Sequence, residues 1–438
     1  MPRSKVPHFF LGLAAVLAVV AVVLLILKPG VKPLDTPAVD PSPPTPRVAP
    51  PKISGLDKST TPEDPNTVLA DLGLGVAATD PVALVEQIGK ALEAGDLAKI
   101  AKLIGKNALD AETITKLKAM ASTPLRLRQP NGVREVGELQ INAHSRWALE
   151  LADQEPGRDR IFLDLRQLNG KWTVEKITLP PGPGEPIPKA VFTDSLGVAD
   201  TFLQAVLRQD FEFARAFVDP ATVSDAKIAG LCILFEEGEY RLRKNKPLRS
   251  MFQRQNTVGY LANVETKDAK GTAQFSITMT QPPTRSNWIV TEINLNQMLE
   301  DYARRVAGGD LYYSPLVKNP AGGDTLALYF EFDEDVINPR TRRQLEIVTM
   351  ILKADPGKKI TLSGHTDGLG TKEYNNSLSS RRAAVVKDYL ATAGVASAQI
   401  VTVARGDSQP RRPNLTETGS DNPSGRRANR RTEIYLDF

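Results

Sequence analysis

The hydrophobic pattern changes character along the chain, and each change predicts a different element. Phe9–Leu27 runs nineteen residues without a charge. At 1.5 Å per residue that is roughly 28 Å of helix, enough to cross a bilayer core. The run ends in Lys28-Pro29-Gly30 with no Ala-x-Ala site after it, so an uncleaved transmembrane helix at 9–27 is expected rather than a cleaved signal peptide. Residues 28–66, including PAVDPSPPTPRVAPP, form a Pro-rich tether that favours extended polyproline II and spans up to roughly 120 Å.

From residue 67 the pattern turns periodic and repeats itself. VEQIGKALEAGDLAKIAKL at 85–103 reads as an amphipathic helix pair broken at Gly95-Asp96, and VADTFLQAVLRQDFEFARAF at 198–217 has the same rhythm with its break at Gln209-Asp210. A short third helix follows each, ETITKLKAM at 112–120 and DAKIAGLCIL at 225–234. Alternating strand segments come next: INAHSRWALEL and DRIFLDLRQL in the first copy, TVGYLANVET and AQFSITMT in the second. Each copy closes on a tryptophan strand, KWTVEKITL or NWIVTEINL, which makes Ile114 and Ile228, and Trp172 and Trp288, equivalent. Helices followed by strands, twice, predict tandem α+β domains at 67–180 and 191–300 with a linker at 181–190. A second linker at 301–323 leads to a terminal unit at 324–438.

The terminal unit reads as a strand at about 325–332, an amphipathic helix near 339–354 ended by Pro356-Gly357, and the strand KKITLSG. A helix follows from about Thr371 to Ala393, with Gly394 as its C′ residue, and then the strands IVTVAR and RTEIYLDF. The chemistry concentrates at 361–384, TLSGHTDGLGTKEYNNSLSSRRAA. Asn375, Leu378 and Arg382 stand at i, i+3 and i+7, on one helical face, and Asp367 sits at the strand exit near the start of that helix. An anion and a cation at one cleft rim suit a ligand carrying an amine and a carboxylate together. A structural salt bridge between turn and helix is the alternative for the pair Asp367 and Arg382.

GHTDGLGTKEYNNSLSSRRA resembles the OmpA-like peptidoglycan-binding domain family, whose pattern GHTDxxGxxxYNxxLSxxRA it follows without a gap. YFEFDEDV with Phe332 and Asp333 upstream, and RGDSQP, Asn414-x-Thr416 and GRRANRRTEI downstream, extend the resemblance over about 324–438. The chain departs from the family in one place, between Thr416 and Asn429, where it carries an extra loop GSDNPS. The resemblance implies a C-terminal βαβαβ sandwich that clamps the diaminopimelate of the wall's stem peptide. Carried over by motif, Asp367 takes the ammonium and Arg382 the carboxylate, with Asp333, Thr366, Asn375 and Leu378 completing the peptidoglycan-binding set. The tandem region is similar, at pattern level, to the cone-shaped α+β domains of the nuclear transport factor and cystatin-like class. That likeness implies two helices-plus-curved-antiparallel-sheet domains able to enclose a pocket. The fold class expected is therefore α+β multidomain, behind an N-terminal transmembrane helix.

Composition narrows the function classes. With His8, His144, His365 and one cysteine, Cys232, the chain has no clustered zinc-site spacing, so no metal and no cofactor are expected. Cys232 also lies too far in for an N-terminally lipidated lipoprotein, and alone it forms no intramolecular disulfide. A net charge of +4 with interleaved signs gives no support for nucleic acid as a partner. The basic run RLRKNKPLRS at 241–250 is expected to be a solvated face, or else a contact for an anionic partner. The expected protein is a non-enzymatic envelope anchor or scaffold of the cell inner membrane. Residues 1–8 form a cytoplasmic tip, the C-terminal region is periplasmic, and the partners are peptidoglycan, the membrane and an envelope protein not identified by sequence. A ligand-binding or enzymatic module in the tandem domains, or an accessory subunit of an envelope or secretion complex, stands as the alternative. A proton-driven stator needs a carboxylate in the span, and Phe9–Leu27 has none. A porin needs many more ten-residue alternating strands.

Overall fold

The protein is seen in a computed structural model that describes residues 73–121, 125–130, 132–283, 287–305, 314–318 and 324–436. The expected cytoplasmic tip, transmembrane helix and tether at 1–66 lie outside the described residues. Among those described, no helix is long and apolar enough to cross a membrane.

The first repeat begins with α1 (Pro81–Glu93) and α2 (Leu97–Ile104). Asp80 and Asp96 cap them, accepting from the N–H of Val82 and Lys99 at 2.9 Å. Asp96 thus explains the break seen in the pattern. α3 (Ala111–Ala121) precedes an antiparallel sheet ordered β1-β2-β3-β4, formed by Val133–Gln140, His144–Glu150, Arg160–Leu168 and Lys171–Thr178. Extra residues in β1 and β4 shift the register and bend these strands.

The second repeat follows the same plan. α4 (Ser195–Leu207), α5 (Phe211–Arg215) and α6 (Asp225–Glu237) precede β5 (Tyr240–Leu242), β6 (Leu248–Arg254), β7 (Thr257–Thr266), β8 (Thr272–Thr280) and β9 (Ile289–Asn294). β5 and β6 both pair with β7, and the sheet continues through β8 to β9. The proposed equivalence of Ile114 and Ile228 does not extend to their surroundings, since Ile114 is 39% exposed and Ile228 is fully buried.

The reason lies in α6, whose residues are buried on nearly every side. A helix apolar all round must be covered all round, and α6 lies between its own sheet and the C-terminal unit. One apolar core accordingly runs without interruption from the second repeat into the C-terminal unit and takes in Val136, Ala148 and Phe162 of the first repeat, which otherwise keeps a core of its own. Ion pairs reinforce the junctions. Arg134 of β1 reaches Glu150 and Asp200, each at 3.2 Å, and Arg160 reaches Asp200 at 2.7 Å. Burial alone would raise the Asp200 pKa, but Arg134 and Arg160 outweigh it and hold the carboxyl below its ordinary range. On the other side of α6, Glu237 accepts from Gln344 at 2.9 Å and pairs with Arg340 at 3.3 Å.

One expectation is refined and another corrected at these junctions. The segment 241–250 keeps a solvated face, with Arg243, Lys246 and Arg249 exposed, while its backbone docks on β1. The Lys244 carbonyl accepts from the Glu135 N–H at 3.1 Å, and the Lys246 N–H donates to the Glu135 carboxylate at 2.7 Å. The stretch 301–323 contains the end of α7 (Asn296–Arg305) and a short strand, β10 (Leu316–Lys318).

The C-terminal unit adds β11 (Asp324–Tyr329), α8 (Pro339–Ala354), β12 (Ile360–Gly364), α9 (Lys372–Thr392), β13 (Ile400–Ala404), α10 (Pro423–Asn429) and β14 (Arg431–Leu436). The sheet order is β10-β11-β14-β12-β13, with only β12 and β13 parallel. α9 matches the expected helix, capped by Thr371 and followed by Gly394 at φ 95°. The extra loop closes a tight turn, with the Thr416 N–H donating to the Ser420 carbonyl at 2.7 Å, and then begins α10.

β12 and α9 approach so closely that only glycine fits at the strand's end. A Cβ on Gly364 would lie 2.0 Å from the Ser379 carbonyl oxygen. Gly364→Ala is therefore expected to destabilise the chain by about 2 kcal/mol or more, because the clash is with backbone. Urea denaturation followed by circular dichroism measures it, and an unchanged midpoint would contradict the packing described.

Candidate functional site

The sequence around 361–384 folds as it does for local reasons. After β12 ends at Gly364, the chain stays extended, held by the His365 N–H on the Arg431 carbonyl (2.8 Å) and the Thr366 N–H on the Gly406 carbonyl (2.9 Å). Asp367 then starts a turn, its Oδ1 accepting from the Leu369 N–H at 3.2 Å. Gly370, at φ 97°, supplies the left-handed step before Thr371 caps α9. This turn sets the strand exit against one face of the helix.

A cleft of about 160 Å³ opens between them. Asp333, Thr366, Asp367, Asn375, Leu378 and Arg382 all line it, so the six residues singled out by sequence come together at one place. Asp333 reaches the cleft from a different element, the turn after β11, where it holds a positive φ of 57°. The Asp333 carboxylate accepts a hydrogen bond from the Tyr374 hydroxyl across the rim.

The charges are arranged differently from the simple pair Asp367 and Arg382. Asp367 pairs with Arg430, whose Nη1 donates to its Oδ2 at 3.1 Å. Arg382 is fully buried and donates to three backbone carbonyls, those of Glu334 (2.8 Å), His365 (3.0 Å) and Glu331 (3.1 Å). No carboxylate lies within ion-pair distance of it among the described residues. Burial first, and Arg430 second, push its pKa down to about 10, so it remains a cation at neutral pH. A guanidinium has five N–H donors, so two remain after the three carbonyls. A structural salt bridge between Asp367 and Arg382 is thus not formed.

Two further polar atoms are left without partners in this cleft. Thr366 Oγ1 and Asn375 Nδ2 are buried and make no hydrogen bond. Buried polar groups in proteins are almost always satisfied, and leaving one unpaired costs about 1–3 kcal/mol. Phe332, Leu369 and Tyr374 stand exposed at the rim and line the same opening. Together the residues form a small cleft with a cation poised for an oxygen ligand, a carboxylate beside it, spare neutral donors and an apolar rim.

Sequence reasoning missed Arg430. It belongs to the GRRANRRTEI motif, yet it reaches the cleft only because β14 pairs with β12, a contact across 63 residues. His365 makes its hydrogen bonds through its backbone alone, and its ring Nε2 lies 3.8 Å from the Glu433 carboxylate without a hydrogen bond. Among the described residues no group of histidine, cysteine and acidic side chains is arranged to hold a metal ion.

Burial, followed by the charge of Arg431, pushes the His365 pKa down to about 3, from 6.5 in an unstructured chain. Between these values the folded chain binds fewer protons than the unfolded one. The resulting stability is complete above about pH 6.5 and is lost as pH falls toward 3. His365→Gln is expected to flatten the fall in stability between pH 7 and 5, as measured by urea denaturation at each pH. Equal slopes for the two proteins would contradict this account.

Comparison with known proteins gives the relatives of this region. The OmpA family matches residues 329–423. The peptidoglycan-associated lipoprotein of Pseudomonas putida is 40% identical over 106 residues, which cover 24% of this chain and 60% of that protein. Outer membrane protein A of Bordetella avium is 38% identical over 108 residues, covering 25% of this chain and 53% of that one. Of solved structures, the peptidoglycan-associated lipoprotein from Burkholderia pseudomallei is 30% identical, covers 25% of this chain and 89% of its own, and has a TM-score of 0.23. The chain spans no more than 60% of the length of these curated relatives. Residues 329–423 are an OmpA family domain.

Proposed function

We propose that the cleft binds the diaminopimelate residue of a peptidoglycan stem peptide, and that the protein grips the cell wall without a covalent bond. The observation that carries this reading is the buried Arg382, a cation without a carboxylate partner, in one cleft with Asp367. The D-centre of diaminopimelate carries a carboxylate and an ammonium on one carbon. Its carboxylate complements the two spare N–H donors of Arg382, and a buried guanidinium is costly until it is so paired. Its ammonium reaches Asp367, which Arg430 holds in place. Thr366 and Asn375 supply the remaining polar contacts, Asp333 bounds the mouth, and Leu378 meets the methylene chain. Relatives named for their association with peptidoglycan support the same ligand class.

In this reading the protein is a binder and not an enzyme. The apolar segment Phe9–Leu27 holds it in the inner membrane as a single-pass protein, and the Pro-rich tether lets the wall-binding unit reach across the periplasm. The two repeats at 67–180 and 191–300 then act as a scaffold between membrane and wall, contacting an envelope partner. Purified protein should co-sediment with sacculi that contain diaminopimelate and be released by free meso-diaminopimelate. Equal retention on sacculi with lysine at that position would sink the ligand assignment.

A further inference from the structure

A second cleft, of about 310 Å³, opens where the loop before β3 meets the connection at 187–191 and the junction of α4 with α5. Its volume falls at the lower end of the range usual for small-molecule sites, and such sites favour junctions between packed units. Three cations stand on its wall. Arg160 is spoken for, since Asp200 takes its Nη1 at 2.7 Å. Lys189 and Arg208 are not: neither side chain has a hydrogen bond or ion pair among the described residues. Asp210, the acid on the same wall, instead caps α5 through the Phe213 N–H at 3.2 Å. The apolar part of the lining is made by Ile187, Val191 and Phe213.

We propose that this cleft binds a small phosphate monoester with an apolar body. Lys189 and Arg208 would hold the phosphate, the one as a point charge and the other as a fork. The apolar part would lie along Ile187, Val191 and Phe213. A neutral ligand would leave both cations unanswered, and inorganic phosphate would leave the apolar lining in water. The inference is independent of the wall-binding reading, because none of these residues lines the first cleft.

Isothermal titration of the detergent-solubilised full chain with n-butyl phosphate tests it. Saturable binding of one molecule per chain is expected, at least about tenfold tighter than inorganic phosphate or butanol, a difference readily resolved. The double variant Lys189→Gln/Arg208→Gln should weaken butyl phosphate at least about tenfold while its melting temperature and its retention on sacculi stay as in the parent. Ile187→Ser should weaken butyl phosphate and leave inorganic phosphate unchanged. Absence of saturable binding, equal affinity in the double variant, equal affinity for inorganic phosphate, or loss of sacculus retention with the two cations would each overturn the proposal.

Discussion

Arg382→Ala is expected to abolish retention on sacculi and to lower the stability of the C-terminal unit at the same time. The two effects have separate causes. Binding is lost because the sole buried guanidinium in the cleft without a carboxylate partner is removed. Stability falls because the carbonyls of Glu331, Glu334 and His365 lose their donor together. Each buried carbonyl left unpaired costs about 1–3 kcal/mol, while relief of the buried charge offsets part of that, so a net loss of about 2–4 kcal/mol is expected. Arg382→Lys separates the causes. Lysine keeps the charge and some of the donors but cannot present a planar fork, so it should fold better than the alanine variant and still bind at least about tenfold more weakly than the parent. Urea denaturation and sacculus co-sedimentation measure the two properties on the same samples. An alanine variant that co-sediments like the parent would remove Arg382 from the site.

Asp367→Asn should weaken wall binding by about 100-fold, or about 3 kcal/mol, as for truncation of other buried charge pairs. Asparagine preserves size and the acceptor for the Leu369 N–H. It leaves Arg430 buried without its anion and puts two uncompensated guanidinium groups beside the ligand's ammonium. Some stability is lost as well. The double variant Asp367→Asn/Arg430→Gln should recover that stability, because no unpaired charge remains, without recovering the binding. Recovery of binding in the double variant would mean that Asp367 serves only to neutralise Arg430.

The candidate site was legible in the sequence where its residues are local to one turn and one helix. The step from Gly364 to Arg382 spans a strand exit, a Gly-rich turn and a capped helix, so spacing alone brings Asp367, Asn375, Leu378 and Arg382 together. Arg430 could not be read this way, since its place depends on which strands pair in the sheet. The same limit explains β1. Its Arg134 and Glu135 are buried, which no local pattern marks, because their partners Asp200 and Lys246 lie in the second repeat. The docking of the 241–250 backbone on β1 was hidden for the reciprocal reason. Helix pairs and tryptophan strands of the repeats were visible from periodicity, whereas the way α6 joins the second repeat to the C-terminal unit was not. A run such as DAKIAGLCILF is apolar enough for an all-round burial, but its sequence does not name the surfaces that cover it.

The central claim concerns which atoms meet the ligand, and a crystal structure of the protein with a diaminopimelate-containing stem peptide tests it most directly. The account predicts the D-centre carboxylate within about 2.7–3.2 Å of the Arg382 guanidinium and the ammonium at the same distance from Asp367. A peptide bound elsewhere on the protein, or with its diaminopimelate turned away from both residues, would contradict it.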